Sequence, residues 1–396
     1  MCFDIRMMKF PQFLAIATSA LIASAALTGC AADPAPKTDV ITVWTDELEA
    51  QALKQAAAEF EKDTKVRVDL VVQQDPRSNF LSQAQTGAGP DVVVGAHDWI
   101  GELHANGLIA PFDLGGKKGD FYDNAVAAFG YAGENYGLPY TIENLALVCN
   151  AKKVSSQPNW QQVKEAGLAL SLNGGGGDPY HLYPIQTSFG AHVFKKDSRG
   201  NYIPELDLAN GGGEFANWLS GEGKTMLDSS STWDSSVAEM KSGSKGCWIT
   251  GPWAKDQLGL DSAEFNIYSI PSVGGKDAVS FLSSRGFYVS KASKDLFYAK
   301  KFVVDYVGKS ENQKELFAVT GRIPANKSAF ESATNDRVVK GFGEAGRKAE
   351  PVPAIPAMGA VWASWGSSEI AILRRQGKPQ VIWNQMIADI EASISN

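Results

Sequence analysis

An alternation of strand and helix patterns near the start of the chain constrains the fold more than any other feature. Three short apolar runs predict strands, and two runs with helical spacing of apolar residues lie between them. In order, the five runs are Val40–Trp44, Glu49–Lys62, Val66–Val72, Phe80–Thr86 and Asp91–Val94. Strands that are separated by helices favour a parallel sheet covered by helices on both faces. The reason is that each helical crossover returns the chain to the end of the sheet at which the previous strand began. We therefore predict an α/β fold.

The remaining chain repeats this alternation and then becomes mainly helical from Lys294 onward. A chain of 396 residues is too long for one typical domain and suits two. Further strands are predicted at Tyr136–Thr141, Leu145–Cys149, Gly246–Thr250, Phe265–Ile270 and Gly286–Val289.

The first 29 residues predict an export signal. Arg6 and Lys9 precede the apolar run Phe10–Leu27, and the sequence Leu-Thr-Gly then stands before Cys30. A charged start, a short apolar core and small residues are typical of a secretory signal peptide. The last four residues resemble a bacterial lipobox, which predicts cleavage before Cys30 and a diacylglycerol anchor on its thiol. Residues 30–38 are predicted to follow as a polar tether. The alternative is an ordinary signal peptide in which Cys30 is incidental.

The charge and cysteine content exclude one class of partner and leave one pairing open. The formal net charge is −7 and no run of lysine or arginine occurs, so we expect no nucleic-acid partner. If Cys2 is removed with the signal peptide and Cys30 is lipidated, Cys149 and Cys247 remain. In an exported protein this pair predicts a disulfide, and two buried reduced thiols are the alternative.

The stretch Gly89–Phe112 contains the first candidate binding residues. A predicted strand ends at Gly95, and His97, Asp98 and Trp99 follow before a short helix. In open α/β sheets, ligands bind beside the carboxyl ends of strands. A carboxylate and an indole therefore lie where a ligand is expected. The simpler interpretation is that Asp98 caps a helix and that Trp99 fills the core.

Carboxylates beside aromatic residues recur in other predicted loops. Asp46 and Glu47 follow Trp44, and Asp178 lies two residues before Tyr180. A sugar ring has an apolar face that packs on aromatic rings, and its hydroxyl groups donate to carboxylates. Together these pairs favour a polar ligand, such as a sugar, in a cleft.

Other kinds of site lack their sequence signatures. The run Gly174–Gly177 is not followed by Gly-Lys-Ser/Thr, so a phosphate loop is not indicated. The four histidines form no His-x-x-x-His pattern, and no Gly-x-Ser-x-Gly motif occurs. We predict no metal, no cofactor and no catalytic residue.

Several short motifs follow one another along the chain. They are Glu59-Phe60-Glu61-Lys62-Asp63-Thr64, Gly89-Pro90-Asp91, Ala96-His97-Asp98, Gly107-Leu108, Asp178-Pro179-Tyr180, Thr250-Gly251-Pro252-Trp253, and Ile355-Pro356-x-Met358 with Trp362. In this order they resemble the maltose/maltodextrin-binding proteins of bacterial ABC importers. The resemblance covers nearly the whole chain after Cys30, and the order and spacing of the motifs make it specific.

The resemblance implies a two-lobed fold of the type II periplasmic-binding-protein kind, with a mainly parallel sheet in each lobe and a hinge between them. The implied N-terminal lobe comprises residues 39–142 and 286–340, and the implied C-terminal lobe comprises residues 143–285 and 341–396. It implies capture of maltose or a maltodextrin by a monomer, by closure of the lobes, and delivery to membrane permease subunits.

The resemblance also implies which residues bind the sugar. Asp46, Glu47 and Asp98 bind hydroxyl groups from the first lobe, where Ala96 lines the cleft. Glu143 lies near the hinge and Asp178 in the second lobe. The implied stacking rings are Tyr180, Trp253 and Trp362, and Trp233 stands where the family has a tyrosine.

The chain departs from the family pattern at positions that bear on the ligand. Gly95 stands where the best-known members have tryptophan and Trp99 where they have arginine, so Trp99 is predicted to restore the stacking surface. Leu48 replaces a lysine and Gly366 an arginine. Two alternatives follow. One is a binding protein for a different α-glucoside or a cyclodextrin. The other is a glycoside hydrolase that uses Asp98 and Glu143, whose carboxyl groups must then lie roughly 5–10 Å apart.

Overall fold

The protein is described here by a computed structural model that covers residues 40–395. These residues belong to one compact unit, Thr38–Asn396. The predicted signal peptide, the tether and the lipidation of Cys30 concern residues outside the described range, so all three stay predictions.

The described chain alternates between strands and helices, with short 3-10 and π-helical segments between them. The strands are β1 Val40–Thr45, β2 Arg67–Val72, β3 Val92–Ala96, β4 Ile109–Ala110, β5 Gly130–Tyr131, β6 Glu134–Asn135, β7 Gly137–Asn144, β8 Ala146–Asn150, β9 Leu168–Ala169, β10 Phe194–Lys196, β11 Tyr202–Leu206, β12 Cys247–Thr250, β13 Phe265–Tyr268, β14 Phe281–Ser290 and β15 Glu350–Pro351. The α-helices are α1 Glu47–Ala52, α2 Lys54–Thr64, α3 Pro76–Gln83, α4 Ile100–Ala105, α5 Asp123–Ala128, α6 Trp160–Ala166, α7 Pro179–Phe189, α8 Gly212–Trp218, α9 Lys224–Met226, α10 Trp233–Ser242, α11 Lys255–Leu258, α12 Leu296–Lys301, α13 Ser310–Thr320, α14 Lys327–Ala333, α15 Arg337–Ala345, α16 Trp362–Leu373 and α17 Pro379–Ser395.

The first sheet contains the predicted β-α-β-α-β unit. Its strand order is β15-β14-β3-β1-β2, and β4 and β7 also pair with β14. Strand β1 lies between β2 and β3 and is parallel to both, as the alternation predicts. However, β14 is antiparallel to β3, β4 and β7. The prediction of a mainly parallel sheet is therefore wrong for this lobe, because β14 returns from the distant second sheet and enters from the opposite end.

The second sheet is also mixed. Its order is β13-β8-β12-β9, and only β12 and β9 are parallel. The pairs β12–β8 and β13–β8 are antiparallel. The expected parallel arrangement is again wrong, because β8 enters this sheet directly from β7 rather than through a helical crossover.

A helix predicted as one element is two. The pattern Glu49–Lys62 is divided into α1 and α2, and Leu53 lies between them. Helix α1 starts two residues earlier than predicted because Asp46 caps it: the Asp46 carboxylate accepts from the Glu49 N–H, and the Glu49 carboxylate accepts from the Asp46 N–H. This capping box fixes the first turn of the helix to the end of β1.

Strands β7 and β14 carry the chain between the two sheets. They pair antiparallel from Leu282 opposite Asn144 to Tyr288 opposite Gly137, with one irregularity between Arg285 and Gly286. The predicted lobe limits at 142/143 and 285/286 fall inside these two strands. The exact limits stay a prediction.

Two hydrophobic clusters lie on either side of the second sheet. Because side chains alternate along a strand, Ala146 and Val148 join the cluster of the first sheet, whereas Leu147 and Cys149 join the second cluster. Cys149 stands directly opposite Cys247 in the neighbouring strand, and a disulfide links the two. The bond closes a loop of the chain inside the second lobe.

Two buried glutamates differ in how they are compensated. Burial opposes ionisation of Glu350, but hydrogen bonding to His192 and the charge of Lys196 lower its pKa to about 2. Glu369 is 1% exposed, and neither of its carboxyl oxygens makes a hydrogen bond within residues 40–395. Burial, followed by the charge of Asp178, raises the pKa of Glu369 well above its ordinary value. Glu369 therefore destabilises the fold at neutral pH.

We predict that Glu369→Met raises the free energy of unfolding at pH 7 by about 1–3 kcal/mol, because it removes a buried polar group without a partner. The folded pKa lies above the ordinary value of 4.5, so the penalty in the wild type grows as the pH rises above it and the gain is smaller at pH 4.5. Urea unfolding at both pH values measures this.

The matched control is Glu350→Met, which leaves Lys196 beside a buried site without its partner. This variant should be destabilised by about 1–3 kcal/mol, because it removes the buried carboxylate that accepts from Lys196 and His192, while Lys196 itself stays 39% exposed to water. Equal stability losses in the two variants would contradict the distinction between the two glutamates.

Candidate functional site

The carboxyl ends of β1 and β3 bring two predicted site residues to one edge of the first sheet. The strands are parallel, with Trp44 opposite Val93, so Asp46 and Asp98 follow neighbouring strand ends. Asp98 is exposed and Asp46 is half-buried. Glu47 is exposed in the first turn of α1, and Ala96 is half-buried at the end of β3. This edge therefore presents an acidic surface, as the sequence predicts.

His97 fixes the loop that carries Asp98. Its Nδ1 accepts from the backbone N–H of Ser284 at 3.2 Å, and its Nε2 lies 3.2 Å from the backbone oxygen of Val352. Since Nδ1 accepts, the proton is assigned to Nε2, which donates to Val352. Burial lowers the pKa of His97, and the charge of Asp98 opposes this shift. The ring is therefore a neutral link between β3, β14 and the segment after β15.

Trp99 lies over Gly95. A Cβ atom at Gly95 would stand 2.2 Å from Cζ3 of Trp99, so the indole occupies the space that a side chain at residue 95 would need. The ring is 9% exposed, and the guanidinium carbon of Arg77 lies 6.0 Å from its centroid. Trp99 thus fills the place of the missing side chain, but little of its ring is open for the predicted stacking.

Two predicted stacking rings, Tyr180 and Trp362, lie against Phe281, and a third, Trp253, lies against Tyr180. The ring centroid of Tyr180 lies 5.8 Å from that of Phe281 and 6.4 Å from that of Trp253. Trp362 lies 6.1 Å from Phe281 and stacks on Trp365. Trp253 is 41% exposed, which is unusual for an indole. The group therefore forms an aromatic wall with an open edge at Trp253.

The two predicted acidic residues of the second lobe, Asp178 and Glu143, differ in how firmly their side chains are held. Asp178 caps α7: its Oδ1 accepts from the His181 N–H at 3.2 Å, and its Oδ2 lies 2.8 Å from His181 Nδ1. Its side chain is buried. Glu143 is half-buried and has Ser283 as its neighbour across the β7–β14 pair. Burial raises the pKa of Tyr180 to about 12, and the charges of Glu143 and Asp178 contribute to the increase.

Two cavities are lined by predicted site residues. One of about 500 Å³ has Asp98 and Trp362 in its lining, together with Arg77 and Met358. The other, of about 190 Å³, has Glu143 and Trp253 in its lining. The two carboxylates named for a hydrolase, Asp98 and Glu143, therefore line different cavities. A larger cavity of about 620 Å³ contains none of the predicted site residues, and we do not assign the site there on size alone.

Trp233 is placed apart from the aromatic wall. Its ring centroid lies 4.7 Å from that of Trp248, a fully buried residue of β12. Contacts of this kind are typical of core packing. The structure therefore gives Trp233 a packing partner and does not bring it to the rings around Phe281.

Three residues near the site were missed by the sequence analysis: Phe281, Arg285 and Arg322. Phe281 is fully buried and carries the stacking rings, and Arg322 lines the smaller cavity. Of the three, Arg285 is the residue that the sequence could have revealed, since a single charged residue inside an apolar strand pattern requires a partner of opposite charge. Phe281 resembles any core residue in sequence, and Arg322 lies in a segment without a motif.

Within the described residues, no group of three or more histidine, cysteine, aspartate or glutamate side chains is arranged to hold a metal ion. Among the helices between residues 40 and 395, none combines the length and apolarity that crossing a membrane requires.

The sequence and the fold of this chain are similar to those of known proteins. The sequence family of bacterial extracellular solute-binding proteins matches residues 55–340. The chain belongs to this family. A maltooligosaccharide ABC transporter solute-binding lipoprotein of Streptococcus pneumoniae serotype 4 is 26% identical over 387 residues, which cover 89% of this chain and 90% of that protein.

Solved structures agree with this assignment. A cyclo/maltodextrin-binding protein in complex with maltotetraose has a TM-score of 0.80 at 27% identity, covering 90% of this chain and 98% of that one. The extracellular solute-binding protein from Staphylococcus aureus in complex with maltose has a TM-score of 0.79 at 25% identity, covering 91% and 98%. The family and the type II two-lobed α/β fold that the sequence motifs predict are confirmed, with mixed rather than mainly parallel sheets.

We predict that the stability of this solute-binding protein falls as the pH drops below about 6.5, because His97 stays neutral when folded and takes up a proton when unfolded. One such group contributes up to about 1.4 kcal/mol per pH unit. His97→Gln keeps a donor and an acceptor and should reduce this slope, measured by urea unfolding between pH 5 and pH 7.5.

His104→Gln is the control for loss of an imidazole elsewhere and should leave the slope unchanged. An identical pH dependence in wild type and His97→Gln would show that His97 is not the group responsible.

Proposed function

We propose that the protein captures maltose or a maltodextrin between its two lobes and delivers it to the permease subunits of an ABC importer. The observation that carries this proposal is the exposed indole of Trp253, beside Tyr180 and in one cavity with Glu143. An apolar ring face next to a carboxylate suits a pyranose, whose C–H face and hydroxyl groups need both kinds of partner. The named ligands of the relatives support the same sugar class.

Capture requires a preference for the closed arrangement of the lobes. Sugar bound to one wall gains contacts with the other wall only when the lobes approach each other. The ligand can therefore shift the equilibrium only by its greater affinity for the closed form. A micromolar dissociation constant, which we expect, corresponds to about −8 kcal/mol. The monomer breaks no bond, and the closed, loaded form docks on the permease.

We predict that Trp253→Ala weakens sugar binding at least tenfold, or about 1.4 kcal/mol, because the largest exposed ring of the wall is lost. Since Trp253 is 41% exposed, its removal should leave the fold intact. Isothermal titration calorimetry with maltotriose and a urea unfolding curve measure the two effects.

Phe297→Ala is the matched control, because Phe297 is 68% exposed and lies on α12, outside both cavities. Unchanged affinity in Trp253→Ala would remove this residue from the site.

A sugar panel separates the ligands. Calorimetry with maltose, maltotriose, maltotetraose, α-cyclodextrin and a second α-glucoside should give the strongest binding with a linear maltodextrin. Heat with another glycan and none with maltose or maltotriose would replace our choice of ligand. A cyclodextrin remains the second candidate, since a relative in the structural comparison is described as a cyclo/maltodextrin-binding protein. Product analysis after long incubation with maltodextrin should find no shorter sugars.

We also propose that a lipid on Cys30 holds the protein at the outer face of the cell membrane. The lipobox-like sequence supports this, and the relative from Streptococcus pneumoniae is named a lipoprotein. A single acyl chain binds membranes only marginally, so a diacyl group is needed. We predict that Cys30→Ala moves the protein from the membrane fraction to the soluble fraction, as measured by immunoblotting. Retention in the membrane fraction would refute the anchor.

A further inference from the structure

Glu49 is the centre of a buried charge network beside the cleft. Its side chain is fully buried. Its Oε1 accepts from Arg285 Nε at 2.9 Å and Nη2 at 2.8 Å, and from the Tyr140 hydroxyl group. Its Oε2 accepts from the Thr45 hydroxyl group at 2.9 Å. Burial opposes ionisation, but the charge of Arg285 and these hydrogen bonds hold the pKa of Glu49 below its ordinary value. The Glu49–Arg285 pair therefore stays charged at neutral pH.

Arg285 extends this network to the cleft. It lies in β14, opposite Ala96 of β3 and Thr141 of β7. Its Nη2 lies 3.5 Å from Asp46 Oδ2, and the exposed fractions of the two side chains are 22% and 37%. The guanidinium group thus stands between the buried carboxylate of Glu49 and the partly exposed carboxylate of Asp46.

Asp46 is held from two sides as a result. Its Oδ1 accepts from the backbone N–H of Glu49 at 2.8 Å, within the capping box of α1. Its Oδ2 faces Arg285. A side chain with both oxygens constrained keeps one rotamer, so it loses little conformational entropy when a ligand binds.

We propose that Arg285 is a positioning residue for sugar recognition: it holds the Asp46 carboxylate in the orientation that accepts a sugar hydroxyl group, and Glu49 in turn holds Arg285. This inference rests on the proposed function of the cleft. It assigns a role to a residue of β14 that no sequence motif marked.

The hydrogen bonds of Glu49 also attach the proposed sugar-binding residue Asp46 to the two strands that join the lobes. Tyr140 of β7 and Arg285 of β14 both donate to Glu49, and these strands pair with each other. The first turn of α1 is therefore attached to both crossing strands through one carboxylate. Asp46 keeps its place relative to them while the rest of the second lobe approaches.

The test removes the ion pair as a unit. Glu49→Met with Arg285→Met leaves neither charge alone in the interior, so the fold is retained better than in either single variant. We expect the double variant to bind maltotriose, or whichever sugar of the panel binds wild type most tightly, roughly three- to tenfold more weakly, the equivalent of one side chain that must be ordered on binding. Calorimetry measures the affinity and urea unfolding the stability.

A matched control separates positioning from general destabilisation. Lys196→Met with Glu350→Met removes an ion pair between a buried glutamate and a lysine whose side chain is 39% exposed, with an Nζ–Oε2 distance of 2.9 Å, in strands β10 and β15. Its affinity for the sugar should equal that of the wild type even if its stability falls. An equal loss of affinity in both double variants would overturn the proposal.

A double-mutant cycle of sugar affinity, in which Asp46→Asn is combined with the Glu49/Arg285 change, decides whether Arg285 acts through Asp46. Since Arg285 acts on the sugar only by holding that carboxylate, the Glu49/Arg285 change should cost little further affinity in the Asp46→Asn background. The same fold loss in both backgrounds, or wild-type affinity in the double variant, would overturn the proposal. If the double variant does not fold, Arg285→Lys takes its place in the cycle, with the same non-additivity required. A wild-type protein that binds no sugar of the panel would overturn the proposed function and this inference together.

Discussion

The antiparallel pairing of β7 and β14 is the interaction on which the rest of the site depends. Both strands belong to the first sheet: β7 leads into β8 of the second sheet, and β14 brings the chain back from β13. They pair from Gly137 to Asn144 on one side and from Leu282 to Tyr288 on the other. Glu143 and Arg285 are placed by this pair, and Phe281 follows at its end. A ladder of backbone hydrogen bonds is stiff along its length, so it holds these side chains in fixed relative positions.

Two indole rings at the cleft pack directly against the backbone of a glycine. Trp99 lies over Gly95, and the ring of Trp253 lies over Gly251, where a Cβ atom would stand 2.2 Å from the indole. In both places the glycine allows an indole to pack directly on the backbone. The results differ: Trp99 is nearly buried, whereas Trp253 keeps 41% of its surface exposed. An indole packed on a glycine therefore fills the core on one wall and presents an open face for stacking on the other.

Buried charges are stabilising here only where partners surround them. Glu49 has Arg285, Tyr140 and Thr45, and Glu350 has Lys196 and His192. Among the residues that the structure describes, neither carboxyl oxygen of Glu369 finds a hydrogen-bond partner, and burial raises its pKa instead. Because desolvation of a charge is costly, each of the first two clusters must form as a set, which links elements distant in the chain. Glu350 thereby ties β15 to β10, and Glu49 ties α1 to β14.

The sequence by itself determined the family, the α/β class and the parallel direction of β1, β2 and β3, because motif order and the spacing of apolar residues are properties of the chain alone. It also identified Asp98 as a candidate, since a carboxylate in a predicted loop needs no partner to be noticed, and the resemblance to the family named Trp253 and Trp362. The family and the fold are confirmed, and the sugar-binding roles stay predictions. Only the tertiary structure decided the mixed polarity of the sheets, the burial of Trp99, the packing of Trp233 on Trp248 and the network of Glu49 with Arg285. Each of these depends on which segments, often more than a hundred residues apart, become neighbours, and local patterns do not encode that distance.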